Sequence, residues 1–162
     1  MKTMLILRHA KSSWAQSGLA DIDRPLNKRG KRDAPRVGSL LREKDLVPDL
    51  ILSSPAVRAQ KTAKAVAETS GYQGEIETTD DFYPGDPEAY IEALQALPED
   101  IQRVMVVGHN PGLEELLETL TGESAALPTA ALAEVNLPIH SWLELNAEPI
   151  GKLVDVWRVK AL

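Results

Sequence analysis

The chain has 162 residues, 43% of them hydrophobic, with 18 Lys and Arg against 24 Asp and Glu, a net charge of −6 and no cysteine. That length suits one domain spanning 1–162, burying roughly 70% of its unfolded surface. The missing cysteine excludes disulfides, thiolate metal sites and a cysteine nucleophile. The acidic balance argues against nucleic-acid binding, and no apolar run approaches the ~18 residues of a membrane span. The opening Met1–Arg8 has too short an apolar run for a signal peptide, so a cytoplasmic protein is expected.

Met4–Leu7 is apolar without alternation, which predicts a strand covered on both faces. Asn27 is placed to cap a helix in which Ala34, Val37, Leu40 and Leu41 share one face and Lys28, Arg29, Lys31 and Arg32 the other. Pro48 breaks the pattern, and Asp49–Ser53 reads as the next strand. Ser54-Pro55 opens a second helix with the stripe Ala59, Ala63, Val66 and Ala67, ended by Gly71. Glu75–Thr79 predicts a short strand, Asp80–Pro87 a turn and Glu88–Leu97 a third helix. Val104–Val107 is the second unbroken apolar run and leads into Gly108-His109-Asn110-Pro111. A fourth helix carries Leu113, Leu116, Leu117 and Leu120, with Gly122 as its stop. Ala131–Leu137 and Leu153–Val159 predict two further strands, joined by a hairpin-like connection at Asn146–Gly151. Strands alternating with helices give an α/β three-layer sandwich: a mostly parallel central sheet, helices on both faces and one antiparallel edge strand.

Three strand ends carry chemistry. Arg8-His9 follows the first strand, Ser53-Ser54-Pro55 with Arg58 follows the second, and His109-Asn110 follows Val104–Val107. Open α/β sheets bind ligands beyond the carboxyl ends of their strands. Residues 1–64 carry 14 Lys and Arg against 6 Asp and Glu, whereas Ala65–Gln102 has no basic residue. The basic part either surrounds an anion or is a set of solvated helix faces. If the three ends meet, two guanidiniums and two imidazoles form a pocket for a tetrahedral dianion. A neutral histidine in it is a nucleophile for phosphorus.

Leu5-Ile6-Leu7-Arg8-His9-Ala10, Ser53-Ser54-Pro55-x-x-Arg58-Ala59-x-x-Thr62-Ala63 and Val107-Gly108-His109-Asn110-Pro111 resemble the histidine phosphatase superfamily. Arg8–Ser12, the segment Asp21-x-Asp23-Arg24-Pro25-Leu26-Asn27-x-x-Gly30 and Phe82-Tyr83 resemble its small SixA-like branch, the phosphohistidine phosphatases. The resemblance implies that His9 is the histidine phosphorylated in the reaction, that Arg8 and Arg58 hold the phosphate, and that His109 stabilises the transferring group. It implies no metal or organic cofactor. It also implies a histidine-phosphorylated protein or phosphotransfer domain as partner.

The departure is the general acid, which larger members carry in an insertion that is short here. Asp21, Asp23 and Asp81 are the candidate acid or orienting carboxylates. Asp21 and Asp23 pair either with the pocket or with Arg24 and the Lys28–Arg32 cluster. Ser54 is either a phosphate donor or a helix cap. Ser12 lines the rim, and Asn110 either orients the pocket or shapes its turn. An imidazole leaving group is protonated near neutral pH, whereas an alkoxide needs an acid. The missing acid therefore favours an N–P substrate such as phosphohistidine, or an activated ester, over a sugar phosphate. The competing readings are a phosphomonoesterase for a phosphorylated small molecule and a regulatory protein that binds a phospho-ligand with little turnover.

Overall fold

The two unbroken apolar runs become neighbouring central strands of one six-stranded sheet, buried from both sides. A computed structural model describes residues 1–162. Its strands are β1 (Lys2–Arg8), β2 (Leu50–Ser53), β3 (Ile76–Thr78), β4 (Arg103–Gly108), β5 (Leu132–Leu137) and β6 (Lys152–Trp157), in the order β3-β2-β4-β1-β5-β6. The β3-β2-β4-β1 block is parallel. β5 is the reversed strand, antiparallel to both β1 and β6. The sheet is thus mostly parallel with an antiparallel side, as the pattern of elements predicts.

Alternate side chains of the apolar strands feed two cores. Leu5, Leu7, Met105 and Val107 pack with helices α1 (Lys28–Glu43) and α2 (Val57–Ser70). Met4, Ile6, Val104 and Val106 pack on the opposite face with α3 (Pro87–Gln95) and α4 (Gly112–Thr121). Each fully buried leucine or valine is worth about 1.5–3 kcal/mol, so the central strands are held from both sides.

Local signals place the helices. The Asn27 side chain accepts from Gly30 N–H at 2.9 Å and starts α1. Asp86 does the same for Ala89 N–H at 3.0 Å and starts α3. Each such cap contributes about 1 kcal/mol. Gly71 and Gly122 end α2 and α4 with φ of 82° and 75°, a conformation that glycine adopts without strain.

Some boundaries differ from the sequence reading. α2 begins at Val57, because Ser53–Ala56 first forms a turn in which Ser54 Oγ accepts from Ala56 N–H at 3.1 Å. α3 starts one residue earlier, at Pro87, and stops at Gln95. The link between β5 and β6 is longer than a hairpin and includes a short 3-10 turn at Trp142–Glu144, where buried Trp142 donates to Ile101 O at 2.7 Å. No helix is long and apolar enough to cross a membrane.

Candidate active site

Register brings the three strand ends to one level. Arg8 pairs with Gly108 across β1 and β4, and Ser53 pairs with Val107 across β2 and β4. The residues that follow leave the sheet together at its carboxyl edge. Ala10 N–H donates to Thr62 Oγ1 at 2.9 Å, and that hydroxyl donates to Arg58 O at 2.7 Å. This link ties the loop after β1 to the first turns of α2. The outcome is a cleft of about 250 Å³ lined by Arg8, His9, Lys11, Ser12, Trp14, Arg24, Arg58, His109, Asn110 and Thr129.

His9 is 7% exposed, and its Nδ1 lies 2.8 Å from Ala10 O. A carbonyl only accepts, so Nδ1 carries the proton and the lone pair of the neutral ring is on Nε2. Burial, followed by the Arg58, Arg8 and Arg24 charges, pushes the His9 pKa down to about 4, against the raising effect of the Ala10 carbonyl. The ring is therefore neutral at pH 7.

His109 is 6% exposed, and its ring centroid is 5.1 Å from that of His9. Its Nε2 is 2.7 Å from Ser54 Oγ, while its Nδ1 is buried without a partner. Burial, then the neighbouring His9 and Arg58, push its pKa down to about 3. Tyr83 packs edge-on against the same ring, with centroids 5.5 Å apart.

The cations are held by fixed acceptors. Arg58 donates through Nη1 to Asp21 O at 2.7 Å and through Nη2 to Asp21 Oδ2 at 3.0 Å. Asp21 Oδ2 also accepts from the Tyr83 hydroxyl at 2.6 Å, and Oδ1 accepts from Arg24 Nη1 at 2.9 Å. The Tyr83 bond first, and then the two guanidiniums, hold the Asp21 carboxyl far below the usual carboxylate range. Arg8 Nη1 donates to Leu127 O at 3.1 Å, and its buried Nε has no protein partner.

Of the residues singled out from sequence, Arg8, His9, Arg58, His109, Ser12 and Asn110 line this cleft together. Ser12 Oγ accepts from Arg24 Nη2 at 2.5 Å, so it steadies a cation. Ser54 serves two neighbours, the Ala56 N–H and the His109 ring. Asn110 donates to Leu127 O at 2.8 Å and to Glu114 at 3.0 Å, which fixes the loop that receives Arg8. Asp21 resolves as an orienting carboxylate, bonded both to the pocket arginine and to Arg24.

Asp23 and Asp81 are corrected. Asp23 is exposed and its side chain has no hydrogen bond or ion pair, because the Asp21–Asp23 turn points only its first carboxylate at the arginines. Asp81 is exposed on the Asp80–Phe82 turn and faces a separate acidic depression with Asp86, Glu88 and Glu92. His140 is exposed and remote from the cleft lining.

Sequence reasoning gave no pocket role to Arg24, Thr62 or Tyr83. Arg24 is 8% exposed and lies 3.2 Å over the Trp14 ring, beside Arg8 and His9. Its signal was its place inside the Asp21–Gly30 block. Thr62 and Tyr83 also stand inside matching blocks, but their partners Ala10 and Asp21 are distant in the chain and no spacing rule pairs them.

The family model of the Histidine phosphatase superfamily (branch 1) matches residues 4–83. A chloroplastic protein of Arabidopsis thaliana is 34% identical over 155 residues, covering 90% of this chain and 71% of that one. The crystal structure of a SixA protein from Agrobacterium tumefaciens superposes with a TM-score of 0.82 at 32% identity, over 97% of both chains. A protein histidine phosphatase SixA in complex with tungstate superposes with a TM-score of 0.83 at 24% identity, over 98% of both chains, a likeness of fold.

Proposed function

The chain belongs to the histidine phosphatase superfamily, in its SixA-like branch, and from that premise we propose that it hydrolyses phosphohistidine on a protein through a phospho-His9 intermediate. The observation that carries the reading is the His9 tautomer. With Nδ1–H donated to Ala10 O, Nε2 is left as an unprotonated nucleophile among three guanidiniums.

The substrate phosphoryl group sits against Arg8 and Arg58, whose paired donors match its oxygens. His9 Nε2 attacks phosphorus in line, and the equatorial oxygens gain charge that the fixed cations offset. Ser54 Oγ holds His109 through Nε2, so that its ring stands beside His9 and the transferring group. The P–N bond to the substrate imidazole breaks, and the imidazole leaves with the proton it acquires near neutral pH. Water then attacks phospho-His9, releasing inorganic phosphate and restoring Nε2. A SixA of the same fold forms a complex with tungstate, a tetrahedral oxyanion like phosphate.

The choice of an N–P substrate is supported by the state of Asp21. That carboxylate is already the acceptor for Arg58, Arg24 and Tyr83, and it has no proton to give. An alkoxide leaving group would therefore find no proton to take from Asp21.

The test is rapid quench with a phosphohistidine peptide labelled in the phosphoryl group, run beside a panel of phosphorylated metabolites. Label is expected on wild-type His9, alkali-stable and acid-labile, and none on His9→Ala. Absence of label on the wild type would overturn the mechanism. A clear preference for an alkyl phosphate would overturn the substrate and leave a small-molecule phosphatase.

A further inference from the structure

A second cleft, of about 350 Å³, adjoins the first and shares Arg58, His109 and Asn110 with it. The two differ sharply in charge. Arg8, Lys11, Arg24 and Arg58 line the first, with no carboxylate. Asp21, Asp86 and Glu115 line the second, with Arg58 as its sole cation. His9 borders only the first cleft, whereas His109, with its unpartnered Nδ1, borders both.

In-line displacement puts the nucleophile and the leaving atom on opposite sides of phosphorus. A phosphoryl group seated between His9 and the shared wall of Arg58 and His109 directs its leaving group away from His9, into the acidic cleft. We propose that Asp86 and Glu115 form the leaving-group wall of the site, selecting a phosphoryl group carried on a cationic or neutral group and rejecting one carried on an anion. This inference rests on the phospho-His9 reading above and adds to it a rule for the leaving side. A protonated imidazole on a protein meets that rule. Phosphorylated carboxylic acids do not, because their carboxylate meets the two acids at close range.

Both carboxylates also have local work. Asp86 caps α3, and Glu115 sits in the first turn of α4, where an acid is favourable. Stability therefore does not separate the two roles, but selectivity for charge does. Asp86→Asn keeps a capping oxygen, and Glu115 is exposed with no hydrogen-bond partner. The Asp86→Asn/Glu115→Gln variant is therefore expected to fold.

The probes are aryl phosphates that differ in the charge of the leaving group: 4-trimethylammoniophenyl, 4-nitrophenyl and 4-carboxyphenyl phosphate. The readout is the cationic-to-anionic ratio of kcat/KM, compared between wild type and variant, so that intrinsic leaving-group reactivity cancels. The ratio is expected to fall about tenfold in the double variant, the scale of two screened charge pairs at the cleft wall. Glu115→Lys is expected to lower it further. An unchanged ratio, with label still trapped on wild-type His9, overturns the acidic wall and leaves the phospho-His9 reading standing. No label on wild-type His9 overturns that reading and this inference with it.

Discussion

Asp21→Asn separates positioning from charge in the pocket. The carboxylate accepts from Arg58, Arg24 and Tyr83 at 3.0, 2.9 and 2.6 Å. Asparagine keeps one oxygen, enough for Arg24, and presents an NH2 group where the second oxygen stood. The Tyr83 hydroxyl adapts by accepting from that NH2. Arg58 has no acceptor capacity and loses its side-chain partner, keeping only Asp21 O at 2.7 Å. Hydrogen bonds to charged groups are worth about 1.5–3 kcal/mol each. The Asp21 side chain is 49% exposed, so water replaces and screens much of this. The net loss of stability is about 1 kcal/mol at pH 7. Because the folded-state pKa of Asp21 is depressed, that contribution is present above the ordinary carboxylate pKa and fades as pH falls below about 4.

The kinetic consequences have opposite signs. Removing a negative charge beside two arginines strengthens binding of inorganic phosphate, and its inhibition constant is expected to fall about threefold, the size of one screened charge. An unanchored Arg58 no longer meets the transition state in a fixed position, so kcat is expected to drop about tenfold. The assays are urea unfolding at pH 7 and pH 3.5 and phosphohistidine-peptide turnover with phosphate as product inhibitor. A wild-type kcat in the variant would refute the positioning role, and weaker phosphate inhibition would refute the charge argument.

Two further expectations concern the imidazoles. His9 and His109 are buried neutral, with pKa values near 4 and 3. The unfolded chain therefore binds protons below about pH 6.5 that the folded protein refuses until pH 4 or lower, and stability falls with pH across that window. His9 accounts for about 3 kcal/mol of the loss, so the urea midpoint should decline from pH 7 to 4.5 and decline less in His9→Gln. A profile flat over that range in the wild type would contradict buried neutral rings. Ser54→Ala removes the sole hydrogen-bond partner of the His109 ring; kcat is expected to fall about tenfold and the fold to cost about 1 kcal/mol. Wild-type kcat in this variant would show that His109 needs no holding.

Much of the fold was legible in the chain because burial on two faces leaves an unbroken apolar run. Met4–Leu7 and Val104–Val107 are such runs, and they are the adjacent central strands β1 and β4. Asn27 and Gly71 marked helix ends because their chemistry is local. Ser54-Pro55 misled by two residues because the Ser54 hydroxyl closes a turn of its own before α2 begins. The carboxylates were the least legible. Asp21 and Asp23 are two residues apart in one short turn, and only the fold aims the first at Arg58.

The sequence by itself determined which strand ends carry the two imidazoles and two guanidiniums, while their meeting in one cleft waited on the strand order β2-β4-β1. The reason is that strand placement follows from side-chain polarity and spacing, both readable residue by residue. The tertiary structure alone decided the chemical state of that set. The proton on His9 Nδ1, the ionised Asp21 shared between Arg58 and Arg24, and the split between a basic and an acidic cleft all depend on which donors, acceptors and charges come within a few ångströms. Those distances are made by contacts between residues as far apart in the chain as Asp21 and Tyr83.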